Sequence, residues 1–421
     1  MKNQDETLKS GWMSYENKLL LILFFTFGIV FFDRLALSFL FPFVSKELDL
    51  NNAQLGMLSS ILALAWAASG AFFGAYTDRK GGRKTVLILS VLMFSLCSAL
   101  SGLVGGFVGL LLLRALMGLA EGPVLPLSQT LMVEASTPSR RGLIMGLLQG
   151  SSAGLLGAVI APPVIVALAV AYGWRTAFYL TCVPGLIAAG LIWLHVKNTD
   201  GGRADEFGAA LQTGSRWALL RERNIWLSVL ISCVFMAWFV IIISFAPTYL
   251  VNAKGFGPGT MSAVMSCMGV AWVIWGFAVP AISDHIGRRP ALIFFSFVAA
   301  CCPLAFLYAQ SPVVMGGLLL LTYTGLGCFT LFMATIPAET VPRAAMATAL
   351  GMIMGFGELI GGFIAPTLAG VAADRWGLDV VMWVAAAGAL LAGLLSLGLI
   401  ETAPRRVDDR RPAAALKESQ A

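Results

Sequence analysis

The chain has 421 residues, of which 58% are hydrophobic and only 12% charged, against roughly a quarter charged in soluble domains. That composition excludes an ordinary soluble enzyme and expects lipid as the solvent. The net charge of +6 is dispersed between apolar stretches rather than gathered in one patch, so no nucleic-acid partner is expected.

In chain order, apolar stretches fall at 18–41, 54–76, 84–105, 108–132, 141–168, 175–196, 224–251, 260–283, 290–309, 312–338, 345–372 and 378–400. Each has about the 20 residues that a helix needs to cross a hydrocarbon core of ~30 Å. Alternating-polarity strands are absent, which excludes an outer-membrane barrel and leaves helices to satisfy the backbone in lipid. The polar opening MKNQDETLKSGWMSYENK is too long for the basic region of a cleavable signal peptide, so the first span is expected to persist. Seven cysteines all lie inside spans without metal-ligand spacing and read as apolar packing residues.

With both termini placed in the cytoplasm, 22 of the 28 basic residues fall on that side, the bias that sets orientation in a membrane. The expected organisation is a cytoplasmic tail 1–17, a six-helix bundle 18–196, a cytoplasmic linker 197–223, a second bundle 224–400 and a tail 401–421. Residue types repeat between the halves at a steady offset. Trp66, Gly70 and Asp78 match Trp272, Gly276 and Asp284, while Gly157, Pro162 and Gly173 match Gly361, Pro366 and Gly377. The reading is therefore an all-α integral membrane protein of twelve transmembrane helices in two pseudo-symmetric bundles, with a binding site where they meet.

Two loops carry the same motif: GAYTDRKGGRK at 74–84 and PAISDHIGRRP at 280–290. The first resembles the loop signature G-x-x-x-D-R-x-G-R-R/K of the major facilitator superfamily with one extra glycine, and the second is a degenerate copy. The resemblance covers essentially the whole chain and implies the major facilitator fold, working by alternating access. Independently of any family, Asp78 sits where a helix meets the cytoplasm and can cap a helix N-terminus or pair with Arg83. Asp78, Arg79, Arg83, Glu134 and Arg140, with Asp284, Arg288, Glu339 and Arg343 in the second half, form a candidate cytoplasmic gate. The competing reading is that these arginines only anchor topology.

Five charged residues lie deep within spans: Asp33, Arg34, Arg114, Glu121 and Glu358. A charge at mid-bilayer costs at least ~2.5 kcal/mol on insertion scales, which makes function the default explanation. Desolvation favours a neutral acid and a nearby cation favours the charged one, so a buried carboxylate with a movable arginine is a proton switch. The competing reading is a static ion-pair network between helices one and four.

FFDRLALSF, RALMGLAEGPVLPLSQTL and YGWRTAFYL resemble the anion:cation symporter branch of organic-acid and hexonate transporters. That resemblance implies protonation at Asp33 and Glu121, charge partners at Arg34 and Arg114, and substrate contact at Gln149. Glu358 stands near where the branch often carries an amide; a second proton site, a ligand for a substrate amine and a helix-packing acid all stay open. Arg34, Ser152, Trp238, Tyr249, Trp272 and Tyr323 are further candidates to line the cavity, with helix packing the competing reading. Glycines of helices five and eleven mark them as rocking interfaces. The whole reads as a proton-coupled importer of a small organic acid, monomeric, in the inner membrane, needing no cofactor or metal beyond the coupling proton. The rivals are a proton-coupled antiporter exporting drugs or metabolites and a non-transporting sensor. No phosphate-binding glycine-lysine loop, metal-ligand cluster or nucleophile-base pair is present, which argues against an enzyme.

Overall fold

A computed structural model describes residues 14–137, 140–197 and 216–404, and every regular element among them is helical. Twelve helices are long and apolar enough to cross a membrane. They are α1 (Tyr15–Leu48), α2 (Asn52–Lys80), α3 (Arg83–Ser101), α4 (Phe107–Ala135), α5 (141–172), α6 (Trp174–His195), α7 (Arg223–Ala253), α8 (Pro258–Ile286), α9 (Arg288–Tyr308), α10 (Pro312–Thr340), α11 (343–376) and α12 (Asp379–Ser396).

Local chemistry sets several boundaries. Ser14 caps α1, and a capping box starts α2: Gln54 N donates to Asn51 Oδ1 at 2.9 Å and Asn51 N to Gln54 Oε1 at 3.0 Å. The first span is longer than its apolar core 18–41, because capped polar turns extend the helix at both ends. Two spans are broken rather than continuous. Helix α4 pauses at Gly122–Pro123 and α10 at Tyr323–Thr324. Wide π turns occupy Ala153–Ile160 of α5, Leu331–Thr335 of α10 and Glu358–Ile364 of α11. Pro162, Pro337 and Pro366 stand just beyond them; lacking an N–H, a proline leaves the carbonyls one turn earlier to find other donors. The π turns of α5 and α11 begin 205 positions apart, so the repeat is visible in backbone irregularity as well as in residue type.

The first and last described residues of each half share one face, here called proximal. There Lys197 N donates to Tyr15 Oη at 3.2 Å, and Asn224 Nδ2 donates to Ile400 O at 3.1 Å. The two sets of six helices meet through their distal halves. A Cβ at Gly56 of α2 would fall 2.2 Å from the Pro366 carbonyl oxygen of α11, and one at Gly269 of α8 would fall 2.3 Å from the Ala158 carbonyl of α5. Ser266 Oγ donates to Val159 O at 2.9 Å in the same seam. On the proximal side the halves pack more loosely: a Cβ at Gly74, Gly150, Gly276, Gly351 or Gly355 would meet nothing within 4 Å, and one at Gly146 of α5 would reach only the Phe277 ring of α8, at 3.7 Å. Helices five and eleven do line the interface, but in this state their close approaches lie in the distal halves, not at the proximal glycines. The structure is closed distally and open proximally.

Candidate transport site

The floor of the proximal opening is built from α1, α2, α4 and α11. Consecutive residues on a helix point about 100° apart, so Asp33 and Arg34 serve different neighbours. Asp33 is fully buried; Ser98 Oγ of α3 donates to its Oδ1 at 3.3 Å, and Ser98 in turn lies 2.7 Å from Thr181 Oγ1 of α6. Oδ2 has no partner. Arg34 turns instead toward the interface, half-buried, with its guanidinium 5.6 Å from the Phe31 ring centroid and 5.4 Å from that of Trp66 on α2. Two rings hold the cation without consuming its donors.

Glycines press α4 onto α2 beside it. A Cβ at Gly118 would sit 2.4 Å from Leu62 O, and one at Gly122 would sit 2.4 Å from Trp66 O. Glu121 ends the first segment of α4, fully buried with both oxygens unpartnered. Arg114, also buried, donates to the Arg34 carbonyl oxygen at 3.1 Å, while its Nε and second terminal nitrogen find no acceptor. Glu358 opens the π turn of α11, 6% exposed, with Oε2 unpartnered. Among the described residues none of the five buried charges forms an ion pair. The competing reading, a static ion-pair network between helices one and four, is therefore not what these side chains form.

Several predicted cavity residues point elsewhere. Trp238 is fully buried inside the second half, its Nε1 donating to Ala299 O at 3.1 Å, and stacks on Tyr323 at 5.2 Å. Tyr249 donates to Asp379 Oδ1 at 2.8 Å near the distal end of that half. Each is correctly amphipathic for a lining residue, but its polar tip is taken by a partner in its own bundle or buried there. Ser152 Oγ donates to Leu148 O one turn earlier on α5. Trp272 is at the interface, edge-on to Phe31 at 5.7 Å and to Phe239 at 5.3 Å. With Leu35, Phe39, Ala158, Ile243, Met265 and Met268 it lines a small apolar cavity between the halves. The side chains of Gln149, Asp78, Arg79 and Arg343 lie outside the described residues.

The proximal charges cluster within each half. Arg83 pairs with Glu134, and Arg140 with Glu16 at 3.4 Å; Arg288 binds Asp284 at 2.5 Å and Glu339 at 3.0 Å. Glu401 accepts from the backbone of Arg288 and Arg289 at 2.7 and 3.1 Å. None of these described contacts crosses between the halves, as the proximal opening requires. The distal face does have a crossing contact, which the sequence reading missed. Asp374, in the last turn of α11, accepts from Asn52 N at 2.9 Å, Asn52 Nδ2 at 2.9 Å and Ala53 N at 2.8 Å, capping α2. An acid at the far end of a span, opposite an N-terminal Asn-x-x-Gln capping sequence, was the available signal.

The Major Facilitator Superfamily model matches residues 23–366, and the chain belongs to that superfamily. It is 26% identical to the hexuronate transporter of Bacillus subtilis, over 92% of this chain and 95% of that one. It is 27% identical to a probable L-galactonate transporter of Escherichia coli, over 88% and 87%. These relatives match the anion:cation symporter branch. In fold it is similar to an inward-facing bacterial homologue of the lysosomal transporter Spinster, with a TM-score of 0.75 at 17% identity over 92% of this chain and 98% of that one. A D-xylose-proton symporter aligns with a TM-score of 0.74 at 17% identity over 93% and 99%. The chain is a membrane transporter and not an enzyme.

Proposed function

We propose that this protein imports a small organic anion, a sugar acid or similar carboxylate, together with protons, by alternating access in the cytoplasmic membrane. In this reading both termini are cytoplasmic, the structure is inward-open, and the monomer is the working unit. The observation that carries it is the interfacial Arg34. Its donors are uncommitted among the described residues, and α2, whose Trp66 carries it, also packs against the turns that hold Glu121 and Glu358, two buried acids without ion-pair partners. A carboxylate substrate matches that fork, since guanidinium binds carboxylate through paired hydrogen bonds. Asp33 and Glu121 take protons on loading, Arg114 steadies α1 against α4, and Gln149 offers a hydrogen bond to substrate. Loading neutralises buried charge, and a ligand moves the two-state equilibrium only through such unequal affinity.

The test is uptake by purified protein in liposomes of labelled hexuronates, galactonate and muconate under an inward proton gradient. Accumulation of one acid, collapsed by an uncoupler and lost in Glu121→Gln, is expected. Outward movement of a cation against the gradient, with no acid accumulated, would refute the symport reading in favour of export.

A further inference from the structure

Glu358 is the buried acid for which anion import has no evident use. It lies on α11 of the second half, yet its surroundings belong to both halves. A Cβ at Gly362, one turn on, would come within 2.5 Å of Glu358 Oε2 and 3.4 Å of Ala63 Cβ on α2. Trp66, one turn from Ala63, carries the Arg34 guanidinium on its ring. Helix α2 thus bridges an acid of one half and a cation of the other. Helix α7 presents Ser232 and Cys233 to the same turn, and the Cys233 thiol donates to Phe356 O at 3.5 Å.

We propose that Glu358 is a proton carrier that exchanges places with the substrate carboxylate as the counter-charge of Arg34. The inference rests on the symport reading above. In the empty protein the carboxylate is ionised and Arg34, held on the Trp66 ring of the helix against which Glu358 packs, is its counter-charge. When an anion occupies that guanidinium, two negative groups share one cation in a poorly solvated site, and like charges there cannot both stay ionised. Glu358 takes a proton from the side on which substrate enters and crosses neutral. Once substrate leaves on the other side, Arg34 draws the ionised form back and the proton is released there. An amide at 358 keeps the side chain's size and polarity but could carry no proton. Each turnover therefore moves one proton more than the amide variant does.

Wild type, Glu358→Gln, Glu358→Asn and Glu358→Asp are compared in liposomes with D-glucuronate on both sides. The membrane potential is clamped at zero with valinomycin and equal potassium, and a pH step of one unit is applied. The D-glucuronate gradient that just stops net flux is read for each. Losing one coupled proton lowers that gradient about tenfold at a one-unit step, the worth of about 1.4 kcal/mol. Both amides are expected to show this drop while still exchanging labelled D-glucuronate at equal pH, with Asp behaving as wild type. Asn, the smaller amide, carries the comparison if Gln does not insert. Amide variants that reverse at the wild-type gradient, or that lose exchange while Asp keeps it, overturn the role of Glu358 and leave symport standing. Wild type that moves neither D-glucuronate nor any other acid of the panel with the proton gradient removes the symport reading and this inference with it.

Discussion

Asp374→Ala removes the one cap that crosses the distal seam. The carboxylate accepts two backbone N–H groups and one amide N–H at the start of α2, at 2.8 to 2.9 Å. The two backbone donors have no partner within their own helix, because the first N–H groups of a helix never do. Losing a helix cap costs about 1 kcal/mol, and the anion's attraction to the positive end of an exposed helix adds about 0.5 kcal/mol. The contact exists only while the distal halves touch, so its loss disfavours the distal-closed state by about 1.5 kcal/mol, or about tenfold in the ratio of states. Spin labels at the exposed Gly105 and Gln310, with the accessible Cys182, Cys267 and Cys301 replaced by serine, report the distal opening through their distance distribution. The long-distance fraction is expected to grow about tenfold relative to the short one, and to grow less in Asp374→Asn, which keeps an acceptor and loses the charge. An unchanged distribution in Asp374→Ala would show that the cap adds nothing to distal closure.

Other substitutions separate the site from its scaffold. Gly269→Leu places a side chain where a Cβ alone would lie 2.3 Å from the Ala158 carbonyl; the same labels should report a predominantly open distal face, with net transport lost and the fold retained by size-exclusion profile. Trp238→Ala empties a fully buried site in the second half and should lower thermal stability by about 3 to 5 kcal/mol, with the apparent KM for the transported acid unchanged in whatever fraction folds. Tyr249→Phe loses the bond to Asp379 and should cost about 1 kcal/mol of stability, read by thermal shift, without altering coupling. Arg34→Lys replaces a planar fork with a point charge and should raise KM by at least about tenfold while leaving Glu121-dependent coupling measurable; an unchanged KM would remove Arg34 from substrate binding.

The parts of the site legible in the sequence are those whose cost is local. A charge inside an apolar span is conspicuous wherever it packs, and so Asp33, Arg34, Arg114, Glu121 and Glu358 stand out from residue order alone. Aromatic candidates are less legible, because Trp238, Tyr249 and Trp272 have the same amphipathic character. Only packing shows that Trp272 reaches the interface while the other two lie within one bundle. Asp374 was missed for the converse reason: an acid at a helix end is ordinary, and its value comes from a helix more than 300 residues away in sequence.

By itself the sequence determined that the protein spans the membrane twelve times in a duplicated arrangement, because solvation by lipid acts on every residue of a span and repeats leave their spacing in the chain. Tertiary structure decided which neighbours the buried charges meet and which halves touch. Those depend on the angles at which helices cross, set by glycine contacts such as Gly118 on Leu62 and Gly269 on Ala158, and a residue's type does not reveal which neighbour a crossing helix brings to it.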